Sequence, residues 1–216
     1  MLTLYHFPQL CSLATHVVLE ELGLPYQLKV VDILKGEQRE PGFLALNRYG
    51  QVPVLVLDDG TALTETIAIL DYLAQLAPEF GLAPTAPVER ARWLAVMGRM
   101  ASAIHPTFTR VVRPDMIVDD ELARPAVSAA ARDRYAAHLE DLDRLIGGGP
   151  WVLGERYTTA DAHALVMVNW GQRAGFALGD HAHLCAWKDR MIARPAVRTV
   201  LEREGSPLLE PARGEI

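Results

Sequence analysis

Strand-like and helix-like hydrophobic spacings alternate over the first third of the chain; beyond that point only helical spacing remains. Leu2–Phe7 predicts a first strand, and Ala14, Val17, Val18 and Leu22 recur behind it at helical period. Gly23 and Pro25 stop that helix. Tyr26–Val31 alternates and predicts a second strand, so the opening is a parallel βαβ unit. A polar stretch, Lys35–Gly42, leads to a short helix at Phe43–Asn47. Pro53 then opens an apolar run through Leu57 that predicts a strand. Proline is tolerated at a strand's first position, where no N–H is owed to the ladder. Asp58-Asp59-Gly60 is a hairpin turn, and Thr61–Thr64 is the antiparallel return. Glu65-Thr66 starts a helix with Ile67, Leu70 and Leu73 along one face.

Pro78, Gly81, Pro84 and Pro87 cluster and mark a boundary. The expected organisation is an α/β domain over residues 1–78, a linker over 79–87 and an all-helical domain over 88–216. Arg90–Phe108 is helical, with Pro106 kinking it and releasing the Ser102 carbonyl. Arg124–Ile146 is helical, with Tyr135, Leu139, Leu142 and Ile146 on one face. Thr158-Thr159-Ala160-Asp161 has capping-box spacing, with Asp in the usual Glu or Gln place. Two more helices are expected, near Leu184–Ala193 and Ala196–Glu204.

Composition narrows the function. Half of the 216 residues are hydrophobic and 22% are charged, an ordinary globular balance. A net charge of -6 with no basic block argues against a nucleic-acid partner. No apolar run approaches membrane-span length, and the first residues lack a basic, then apolar, leader pattern. With only Cys11 and Cys185, far apart, the expectation is a cytoplasmic chain with reduced thiols.

The candidate chemistry centres on Tyr5–His16. Cys11 and Ser12 fall at the start of the first helix, where unpaired N–H groups and a partial positive charge stabilise a thiolate. A cysteine so placed has a depressed pKa. The alternative is that Cys11 is a small buried hydrophobe. A cis Val52–Pro53 bond would turn the Val52 backbone outward, with its N–H and C=O free for a ligand. His181-Ala182-His183 lacks the carboxylate or Cys cluster of a metal site, so no metal is expected.

Taken together, five stretches resemble the glutathione transferase superfamily, most closely its bacterial beta class. They are Cys11–His16, Gly50–Leu55, Asp59–Thr66, Tyr157–Asp161 and Arg194–Val197. The resemblance spans nearly the whole chain. It implies a thioredoxin-like N-terminal domain, an all-helical C-terminal domain and a homodimer. It also implies glutathione as co-substrate and a hydrophobic small-molecule electrophile as second substrate, in a pocket lined by the Cys11 loop and the helix around Arg99–Arg113.

The resemblance also implies roles. Gln51, Val52 and Pro53 would pair with the middle of glutathione, and Thr66 would take the γ-glutamyl carboxylate. Glu65 would take the γ-glutamyl ammonium, and Lys35 the glycine carboxylate. Cys11 matches the beta-class cysteine that forms a mixed disulfide with glutathione; without a second Cys nearby it could cycle only as a monothiol. Ser12 is a rival thiolate donor or a plain helix cap. His105 matches a histidine that faces the sulfur, as hydrogen-bond partner or acid/base. Pro106 and Gly98 depart from the family's Lys and Asn, leaving Ser102 as a contact, across the dimer. Tyr5 lies within its strand and reads as core; Asp161 reads as a structural cap.

Overall fold

The computed structural model describes residues 1–209. By its contacts the chain divides into two units, Met1–Ala83 joined by the segment from Ile192 onward, and Pro84–Met191.

The first unit is built on a four-stranded mixed sheet in the order β2-β1-β3-β4. Strand β1 (Leu2–His6) runs parallel to β2 (Tyr26–Val30), with Leu2 opposite Tyr26 and His6 opposite Val30. The crossover is α1 (Ser12–Leu22), ended by Gly23 in the left-handed conformation. Strand β3 (Val54–Val56) lies antiparallel to β1, and β4 (Ala62–Thr64) antiparallel to β3. The period of two sends Leu2, Leu4 and His6 to one face of the sheet. On the other, Tyr5 packs with Phe43 of α2 (Pro41–Leu44), Val52 and Val54. Helix α3 (Thr66–Leu76) packs beside α1 and buries Ile69, Leu70 and Leu73. These are the layers of a thioredoxin-like domain.

The second unit is helical. It holds α4 (Pro87–Arg99), α5 (His105–Val112), α6 (Arg124–Ile146), α7 (Thr159–Arg173) and most of α8 (Ala182–Ala193). Its core takes the expected face of α6, Tyr135, Leu139, Leu142 and Ile146, against the almost wholly buried α7; the Tyr135 hydroxyl donates to the Met167 carbonyl at 2.6 Å. Between α4 and α5 the helix widens into a π turn over Met100–Ile104, where the His105 N–H reaches back to the Met100 carbonyl. Proline at 106 has no N–H for the Ser102 carbonyl, and the ladder widens to the π pattern just before it.

One boundary differs from expectation. The last helix, α9 (Pro195–Glu204), belongs to the first unit and not to the helical domain. It packs on α1, burying Val197, Val200 and Leu201. Arg194 forms a two-pronged pair with Glu21 at 2.6 and 2.8 Å, and Arg203 reaches Glu20 at 2.8 Å.

Candidate active site

The turn from β1 into α1 places the candidate thiol. Cys11 is the residue before the first turn of α1, and no side chain caps that helix end. Its Sγ donates to the Val52 carbonyl at 3.0 Å. The Val52–Pro53 peptide is cis. The Val52 carbonyl is not free, however, because it holds the Cys11 thiol.

The thiol's ionisation also departs from expectation. The residue keeps some surface, but the surroundings of the sulfur push the thiol up to about 11. Desolvation is the largest cause; the Cys11 and Ser12 backbone and the Thr66 side chain pull the other way by less, and the Glu65 charge adds to the rise. Burial therefore outweighs the helix N-terminus, and Cys11 is a proton-bearing thiol at neutral pH. The Cys185 thiol, which donates to the Leu178 carbonyl at 3.1 Å, is also raised, again chiefly by burial.

Ser12 has neither of its expected roles. It is fully buried, and its hydroxyl donates to the Phe7 carbonyl at 3.0 Å, tying the turn to the helix.

Glu65 and Thr66 meet the thiol from the other side, at the N-terminus of α3. Glu65 is exposed and makes no capping bond. Its backbone lies at φ 68°, a left-handed conformation that costs a non-glycine residue of order 1 kcal/mol or more. Its carbonyl accepts the Ile69 N–H at 3.0 Å and so opens α3, while its side chain is left exposed.

The remaining candidates lie further out. Gln51 is exposed, and its carbonyl accepts from Asn47 Nδ2 at 2.8 Å. Lys35 is exposed in the loop after β2 and pairs with Asp32 at 3.0 Å. Ser102 is exposed on the π turn. His105, in the helical unit, packs its ring edge-on to Trp170 at 4.8 Å, and burial lowers its pKa, leaving a neutral imidazole. Tyr5 is half-buried against Phe43, and its hydroxyl accepts from Lys29 at 3.2 Å. Within the first unit, then, Cys11, Val52, Pro53, Glu65 and Thr66 come together, while Lys35 and Gln51 sit on flanking loops. A cavity of about 420 Å³ lies at the opposite end of β1, against Met1, Pro25, Leu57 and Tyr72, and includes none of these residues.

A buried polar cluster beneath the turn was not foreseen. Among the described residues, His6, His16 and Glu204 bring ligand-type atoms within 4.8 Å of one another. His16 Nδ1 lies 2.6 Å from Glu204 Oε1, a hydrogen-bond separation with a proton between, too close for two ligands of one ion. His6 Nδ1 faces the same oxygen at 3.8 Å without a partner. In the sequence Glu204 only ends an expected helix; a buried acid 188 residues away from His16 leaves no local signal.

The comparisons with known proteins bear on the family. The family model for the glutathione S-transferase N-terminal domain matches residues 10–76, and that for the C-terminal domain matches residues 99–195. The chain belongs to the glutathione S-transferase family. It is 35% identical over 205 residues to the glutathione S-transferase GstA of Escherichia coli O157:H7, covering 94% of this chain and 98% of that one. A glutathione transferase homologue from Sulfitobacter, solved with bound glutathione, superposes with a TM-score of 0.89 at 35% identity, over 94% of this chain and 98% of that one. The beta class glutathione S-transferase of Sphingomonas chungbukensis gives 0.83 at 31% identity, over 94% and 98%.

Proposed function

We propose that the protein binds reduced glutathione, holds its sulfur as a thiolate and conjugates it to a hydrophobic electrophile. The observation that carries this reading is the convergence of the Cys11 thiol, the Val52 backbone and the strained Glu65-Thr66 helix start in the sheet domain. An extended peptide pairs with the Val52 backbone next to Gln51 and Pro53, and its N–H replaces the Cys11 thiol on the Val52 carbonyl. The α3 N-terminus and Thr66 suit the γ-glutamyl carboxylate, and the Glu65 carboxylate suits its ammonium. Lys35, once turned from Asp32, suits the glycine carboxylate.

The start of α1 stabilises the glutathione thiolate, and Cys11, still protonated, is a donor to it. The thiolate attacks the electrophilic carbon, the new carbon–sulfur bond forms and the leaving group departs. His105, kept neutral by burial, has an imidazole able to accept a proton, and Ser102 is exposed on the π turn of the same unit. The same reading takes the protein as a cytoplasmic homodimer acting in detoxification, with no metal.

Thiol–disulfide exchange through Cys11 is less favoured, because a thiol held near 11 is a poor nucleophile at neutral pH. Conjugation to an activated aryl halide by Cys11→Ala separates the two. The proposal expects activity within about tenfold of wild type and no glutathionyl mass gain on Cys11 from oxidised glutathione. Complete loss of turnover, with a stoichiometric adduct on wild type, would replace conjugation by exchange.

A further inference from the structure

We infer that Gln9 and Glu204 are positioning residues: the last helix of the chain sets the loop that presents Cys11. This rests on the reading of Cys11 as part of the glutathione site.

Gln9 stands two residues before Cys11 and is, with Glu65, one of two non-glycine residues with positive φ among those described, at 62°. Such a conformation persists when its surroundings over-determine it. Here they do so from the far end of the sequence. The Gln9 N–H donates to Glu204 Oε2 at 2.5 Å, and its Nε2 donates to the Glu204 and Gly205 carbonyls, each at 2.9 Å. Gly205, left-handed at φ 64°, ends α9 and turns those carbonyls toward the loop.

The acid is almost fully buried, a costly position for a carboxylate unless it is fully bonded. Its two oxygens divide the work: Oε1 takes His16 of α1, and Oε2 takes the loop. The same carboxylate thus fixes the loop relative to the helix whose first turn Cys11 precedes. The Leu10 N–H and the Ser12 hydroxyl both close on the Phe7 carbonyl, so the segment from Phe7 to Ser12 has little freedom once Gln9 is held. Releasing Gln9 frees the thiol from the Val52 carbonyl and displaces the surface against which glutathione lies. Misplacements of an ångström at such a site cost up to about a hundredfold.

The test compares Glu204→Ala, Glu204→Gln and Arg194→Ala by calorimetry with reduced glutathione, by the rate of Cys11 alkylation with iodoacetamide, and by melting temperature. Glu204→Ala should weaken glutathione binding about tenfold and speed Cys11 alkylation at least about fivefold. Glu204→Gln keeps an oxygen for the Gln9 N–H and should stay within about twofold on both readouts. Arg194→Ala removes the clamp on Glu21 from the same segment, so it should lower the melting temperature and leave both readouts unchanged. Equal effects of the Ala and Gln variants, or an Arg194→Ala effect as large as that of Glu204→Ala, would overturn the inference. Should Glu204→Ala fail to fold, Gln9→Ala carries the test: at least about threefold changes are expected, and unchanged readouts overturn it. If wild type binds no glutathione, the functional reading fails, while the alkylation rates still decide whether Glu204 sets the loop.

Discussion

Two polar corners of this protein are built to opposite rules. In the helical unit, Asp161 is fully buried and fully bonded: it accepts the Val152 and Thr158 N–H groups and the Trp187 indole N–H, each at 2.9 Å, while Thr158 caps α7. In the sheet unit, Glu65 lies in a strained backbone conformation, exposed, with no capping bond, beside a thiol kept protonated by burial. The first corner has its capacity spent on the fold. The second keeps charge, a helix end and backbone groups that a ligand can use. A perturbed carboxylate is therefore a poor guide to function here: burial raises Asp161 as well, yet every contact it makes is structural.

The contrast can be broken at several points. Asp161→Ala should cost the most, about 4 kcal/mol or more of folding stability, because two buried N–H groups and an indole lose their acceptor. Denaturant unfolding measures it, and a cost below about 1 kcal/mol would show that Asp161 does not hold its corner. The Cys11 thiol should be alkylated roughly a hundredfold more slowly than free cysteine at pH 7.5, its rate still climbing above pH 9. A plateau near neutral pH would restore the depressed thiol that its helix position alone suggests.

Acid should act mainly on the helical unit, where burial holds His163 at about 3 and also lowers His105 and His138. A histidine with a lowered folded pKa stays neutral when folded and takes up a proton when unfolded. Its stabilisation is present above pH 6.5 and is lost as pH falls toward the folded value. His163 alone should cost roughly 1 kcal/mol per pH unit below 6.5. Calorimetric melting between pH 7.5 and 5.5 reads this, and a pH-independent midpoint would contradict it. The smallest effect belongs to the rim: Lys35→Ala should weaken glutathione binding about threefold, since an exposed charge contributes under 1 kcal/mol.

Much of this was legible in the sequence, for physical reasons. Periods of two and 3.6 located the βαβ start, the hairpin and the buried face of α6, because each depends on neighbours close in sequence. Thr158 and Asp161 announced their capping box at a fixed spacing. The proline at 53 stands immediately before β3, at the kind of bond where a cis peptide is found. What stayed hidden depends on distant partners. Nothing local to Cys11 states that its sulfur meets the Val52 carbonyl, or that Ser12 turns inward to Phe7. Nothing in α9 states that Glu204 reaches Gln9 and His16, or that the helix joins the sheet unit. The π turn before Pro106 is an intermediate case: the missing N–H was readable, the widening of the ladder was not.

Whether the start of α3 holds glutathione is decided by a calorimetric titration of wild type and Glu65→Ala with reduced glutathione. Wild type should bind saturably, with a Kd of about 1 mM or tighter, and Glu65→Ala should bind at least about tenfold more weakly with an unchanged melting temperature. No heat of binding to wild type at about 10 mM ligand, or equal affinity for the two proteins, would contradict the claim that the strained start of α3 is a glutathione site.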